Sequence, residues 1–110
     1  MNNMQFQHQS LASGKWFNYS LCEQMGNIGS EIGRANKWKE KDRKIFESAV
    51  FRAIELLNLT LSDIRWKKRY KEIARAKETV CDAYLEGKQY NSTFESLEKY
   101  GPDATRWYLI

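Results

Sequence analysis

Arg65, Lys67, Lys68, Arg69 and Lys71 crowd five cations into the seven positions of RWKKRYK, with Trp66 and Tyr70 among them. Cations at that density neutralise phosphates, and interleaved rings can stack on bases, so the stretch has the chemistry of a nucleic-acid contact. A second run, KWKEKDRK over 37–44, holds five basic residues and two acids. The alternative for both is solvated helix charge, with Trp66 and Tyr70 turned inward. The helical order derived below puts the runs at opposite ends, so they do not merge into one patch.

MGNIGSEIG, 25–33, brings Gly26, Gly29 and Gly33 within eight positions. A phosphate-cradling loop needs a preceding strand and a closing Gly-Lys-Ser/Thr, and the stretch has neither. With Cys22 the glycines step by four, three and four, a stripe of small residues along one side of a helix. Each glycine costs a helix interior about 1 kcal/mol relative to alanine. Close approach of another backbone is the expected compensation, from a helix of the same chain, a second subunit or a ligand cleft.

Glu23, Glu31, Glu55, Glu78 and Asp82 fall near apolar seams and are candidates for paired carboxylates. Surface charge with intrahelical pairing is the other reading, as for Glu78 and Asp82 flanked by Arg75 and Lys77. One histidine, His8, and two cysteines cannot complete a zinc site of usual spacing. The paired Glu-x-x-His motifs of a di-iron bundle are absent, so neither metal nor cofactor is expected. Cys22 falls in a first helical turn, where free amides can stabilise a thiolate; a small buried residue is the alternative. Cys81 falls near the far end of the third helix, on the order of 20 Å away, too far for a disulfide.

These residues need elements to hold them. Ser20 and Glu23 make a capping-box pattern, followed by an apolar seam of Leu21, Met25, Ile28, Ile32 and Ala35, so a first helix is expected over 21–38. Phe46, Val50, Ala53 and Leu57, widened by Ala49, Ile54 and Leu56, predict a second over 42–58. LTLSD supplies capping residues for a third over 64–86, with seam residues Trp66, Tyr70, Ile73, Val80 and Tyr84 and Gly87 as its C-cap. Ser92 and Glu95 form a further capping box for a fourth through Phe94, Leu97 and Tyr100, which Gly101-Pro102 kinks or ends. Short connections between amphipathic helices predict an all-α, up-and-down antiparallel four-helix bundle with a short or kinked fourth helix.

The 110 residues fit one domain over 15–110, preceded by a flexible polar arm over 1–14. A net charge of +4 and a pI near 9.1 permit an acidic partner but do not demand one. The first residues lack the basic and apolar regions of a secretory signal, and no apolar run is long enough to span a membrane. Asn18, Asn58 and Asn91 match the glycosylation sequon, which without export is a chance match. A cytoplasmic protein is expected.

SLCEQMGNIGSEIGRA, FESAVFRAIELLNLTLSD and EIARAKETVCDAYLEGKQYNSTFESLEKY resemble a family of small prokaryotic helical-bundle proteins, over about 16–100. More distantly the chain resembles the HEPN and nucleotidyltransferase substrate-binding bundles, whose four antiparallel helices pair with a nucleotidyltransferase or act on RNA. RNA-cleaving HEPN proteins carry an arginine followed a few residues later by histidine. Here Arg34 is followed by ANKWKEKDRK without one, so the resemblance implies no nuclease. GPDATRWYLI departs from the aromatic, alanine-rich helix of such bundles. The resulting expectation is a non-catalytic helical interaction module, homo-oligomeric as a dimer, serving as partner or substrate-binding subunit for a nucleotidyltransferase. The alternative is a nucleic-acid-binding protein using Arg65, Lys67, Lys68, Arg69 and Lys71.

Overall fold

Ser20 Oγ accepts from the Glu23 amide at 3.1 Å while the Glu23 carboxylate accepts from the Ser20 amide at 2.8 Å, closing the expected capping box. This satisfies two donors that the first turn leaves free, and α1 runs from it over Leu21–Trp38. The computed structural model describes residues 14–89 and 91–100. The expected arm up to residue 13 and the tail over 101–110 lie outside the described residues. Leu21, Met25, Ile28, Ile32 and Ala35 are all buried, as their spacing requires.

Asp42 caps α2, Arg43–Leu61, by accepting from the Lys44 and Ile45 amides. The helix runs past Asn58 because Leu59 and Thr60 are buried, and that burial outweighs the turn-like composition of LTLSD. The expected single helix over 64–86 is instead two pieces, a 3-10 segment Ile64–Arg69 and α3, Tyr70–Tyr84. Trp66, at φ −103° and ψ 21°, breaks the regular spiral where its ring turns toward α1.

α3 ends in a Schellman-type closure: the Gly87 amide donates to the Asp82 carbonyl at 2.7 Å and the Glu86 amide to Ala83 at 3.2 Å. The left-handed residue that usually favours glycine is Glu86 at φ 69°, while Gly87, at φ 70°, is needed because a Cβ there would sit 2.8 Å from the Ser92 carbonyl. α4, Phe94–Tyr100, is capped by Thr93, whose hydroxyl accepts from the Ser96 amide at 3.0 Å, rather than by the expected Ser92–Glu95 box.

α1 packs along α2, α2 along α3, and α4 lies on α1 and touches α3. The described residues are all-α without a strand, and none of their helices is long and apolar enough to cross a membrane.

A short 3-10 turn, Lys15–Asn18, precedes α1 and buries Trp16 completely. Its indole donates to Thr60 Oγ1 at 3.1 Å, tying the start of the domain to the end of α2. Gln24, also fully buried, donates its side-chain amide to the Trp16 carbonyl and to Asp63 Oδ2, each at 3.1 Å, and accepts from the Trp66 indole at 3.0 Å. One amide thus joins the first turn, α1, the end of α2 and the start of the 3-10 segment. Gln24→Leu keeps the bulk and strands those partners, so it should lower unfolding stability by about 2–4 kcal/mol. Urea unfolding measures this, and an unchanged midpoint would mean that the partners find water instead.

Candidate functional site

The basic stretch does not present five equivalent cations. Arg65 is held in place: it forms a 2.6 Å ion pair with Asp63, donates to the Tyr19 carbonyl at 2.7 Å and lies 4.4 Å over the Trp66 ring. Arg69 pairs with Glu72 at 3.8 Å. Lys67, Lys68 and Lys71 are exposed, and among the described residues no acid pairs with them. Trp66 is turned inward as expected, but Tyr70 is not, at 54 % exposure. Tyr70 stands out because α3 buries the face of Ile73, Ala76, Val80 and Ala83, which lies about 100° round the helix from it. The second basic run stands at the other end of α2, where Arg43 pairs with Glu47 at 2.9 Å and lies over Phe46 and Tyr84.

The glycine stripe faces outward over most of its length. Among the described residues no atom beyond the helix's own backbone lies within 4 Å of where a Cβ would stand on Gly26 or Gly29, and Cys22 is exposed. The expected approach of a helix of the same chain occurs, among the described residues, only at Gly33, where a Cβ would come 3.0 Å from Glu98 Oε2. α4 is too short to cover more: it meets α1 at Gly33 and Asn36, whose side-chain amide donates to Glu98 at 2.7 Å.

The carboxylates serve separate structural roles. Glu23 caps α1, and Glu31 lies 3.8 Å from Arg34 and 3.9 Å from Arg52. Glu55 is buried in α2. Asp82 is not surface charge as expected for it: it is buried and accepts from the Gln89 amide at 2.8 Å and the Ser92 amide at 3.0 Å. It thereby folds the loop after α3 back against the helix. Among the described residues no cluster of His, Cys, Asp or Glu could hold a metal ion. Cys22 and Cys81 are free thiols, and burial pushes the Cys81 thiol up in pKa, with Lys77 opposing and Glu78 adding to the shift.

Tyr70, Ala74, Lys77 and Cys81 recur at helical spacing and form one face of α3. With Leu61 from α2 and Leu85, Lys88 and Gln89 from the loop held by Asp82, they line an open groove of about 680 Å³. Tyr70 and Leu85, the latter 61 % exposed, supply its apolar rim. Sequence spacing marks the α3 face but not the loop wall, because that wall depends on Asp82 capturing backbone amides. No family model, curated protein or solved structure matches this chain.

Two outcomes follow from these placements. Gly26→Ala and Gly29→Ala each add a methyl to open space, so each should stabilise the isolated chain by about 1 kcal/mol in thermal unfolding; destabilisation would show that another backbone covers the stripe. Hydrogen bonds from Arg65, reinforced by Gln24 against the opposing cost of burial, hold the Asp63 carboxyl below its ordinary value of 3.8. Its folded pKa is thus the lower one, so its contribution is complete above about pH 4 and is lost as the pH falls further. Stability should decline there, and Asp63→Asn should flatten that decline; an equally steep decline in the variant would assign it to other carboxylates.

Proposed function

We propose that this chain is a non-catalytic helical interaction module of the cytoplasm, built as an up-and-down four-helix bundle. The alternating direction is supported by contacts at both ends of α2. Trp16 bonds Thr60 at one end. At the other, Tyr84 donates to Glu47 at 3.0 Å and Phe94 lies 5.3 Å from Phe46. The observation that carries the functional reading is the α3 groove. Buried polar side chains such as Gln24, Asp63 and Asp82 are committed to holding backbone, whereas Tyr70 and Leu85 leave apolar surface open along one face. Apolar surface gathered in a groove with a polar rim is what a partner chain covers.

The resemblance to HEPN and substrate-binding bundles makes a nucleotidyltransferase the first partner class to test, with a second copy of the chain the other. The exposed, unpaired Lys67, Lys68 and Lys71 favour one further reading, a phosphate contact. Affinity purification from the native cell, with mass spectrometry and nucleic-acid absorbance, separates the readings. The module reading expects a stoichiometric protein partner. Bound nucleic acid in its place, released by salt and by Lys67→Gln, Lys68→Gln and Lys71→Gln together, would overturn it in favour of the phosphate contact.

A further inference from the structure

We propose that the α3 groove docks an acidic amphipathic helix of a partner protein, an inference that rests on the interaction-module reading and names its partner chemistry. The floor is made by small side chains, Ala74 and Cys81, so a second helix can approach the α3 backbone closely. The groove face extends from Tyr70 to Cys81, about 16 Å or three helical turns. Its rim at Tyr70 and Leu85 is apolar, fitting side chains spaced one turn apart along a docked helix.

Charge selects the sign of that helix. Lys77 and Lys88 line the groove, Lys67 lies a turn before Tyr70 and Lys71 directly after it, and no described acid pairs with any of the four. Of the two acids in the lining, Asp82 is buried with its oxygens on the Gln89 and Ser92 amides and Glu78 is exposed. Beside the lining Glu72 pairs with Arg69 and Glu86 follows Leu85, fewer charges than the cations around the groove. Glutamates beside the apolar stripe of a docked helix would meet these lysines, steering encounter and fixing register.

RNA fits the same surface less well. Its bases would find one outward ring, Tyr70, since Trp66 is bonded to Gln24 and covered by Arg65. Leu61, Ala74 and Leu85 offer nothing to a phosphate, and Glu78 repels it.

The test is selection from a displayed library of random helical peptides against the full chain, with Leu85→Glu as the counter-selection. Enriched peptides should carry net negative charge beside apolar residues at helical spacing. A selected peptide should lose about tenfold in affinity with Lys77→Glu and Lys88→Glu together. Leu85→Glu should abolish its binding with an unchanged melting temperature because Leu85 is exposed, and Lys88→Glu, also at an exposed position, serves as the same control beside the half-buried Lys77. Enrichment of basic or uncharged peptides, or none beyond the counter-selection, would overturn the proposal. So would tighter binding of a single-stranded RNA, lost with Lys67→Gln, Lys68→Gln and Lys71→Gln. If a protein copurified from the native cell stays bound to Leu85→Glu, the module reading stands and the groove assignment fails; if no protein copurifies, the module reading itself fails.

Discussion

Gln24 brings a side-chain amide into a fully buried position, where each polar atom has to find a partner inside the protein. Its two donors reach Trp16 and Asp63, and its oxygen takes the Trp66 indole. Those three partners lie in the first turn, in the link after α2 and in the 3-10 segment, so the amide on α1 is satisfied only when all of them arrive together. A core of aliphatic residues alone tolerates sliding of one helix past another, whereas a satisfied buried network admits one register. Asp63 extends the node to Arg65, which reaches back to the Tyr19 carbonyl and closes the ring around the start of α1.

The rest of the molecule follows from that fixed end. With Trp66 bound to Gln24, the chain cannot enter α3 as a continuous helix from Ile64; it passes through a 3-10 segment and begins regular helix at Tyr70. The phase of α3 set there buries Ile73, Ala76 and Val80 and turns Tyr70, Ala74 and Cys81 outward. At the other end Asp82 does for the loop what Gln24 does for the turn, drawing the Gln89 and Ser92 amides onto a buried carboxylate. The groove lies between these two polar anchors, with residues near each end of α3 at its rim. Its shape is therefore a product of buried hydrogen bonds rather than of surface composition.

Much of this was legible in the residues. The Ser20–Glu23 box and the seam from Leu21 to Ala35 place α1 at both ends, since capping and period depend on residues close in sequence. What was not legible depends on distant partners. Trp16 falls in none of the expected helices, and its place in the core shows only when Thr60 accepts its indole. The third helix reads as continuous until Gln24 claims Trp66, and Asp82 reads as surface charge until the following loop folds over it. The glycine stripe misled for a related reason: its period is real, but no element of the described chain is long enough to cover Gly26 and Gly29. For the site, the α3 face was visible as a helical spacing, while the cations that remain available, Lys67, Lys68 and Lys71, separate from Arg65 and Arg69 only once the ion pairs are seen.

The buried polar residues of this chain hold its fold, which leaves contact with other molecules to the outward face of α3 as the proposed role of that surface. Site-specific photocrosslinking in the native cell reads out that division, with the photoreactive residue placed in turn at Tyr70 and at Asn27, an exposed position beside Gly26. Position 70 should join the chain to one protein species, and position 27 should not. Crosslinks to RNA from position 70, or to protein from position 27 alone, would contradict that role.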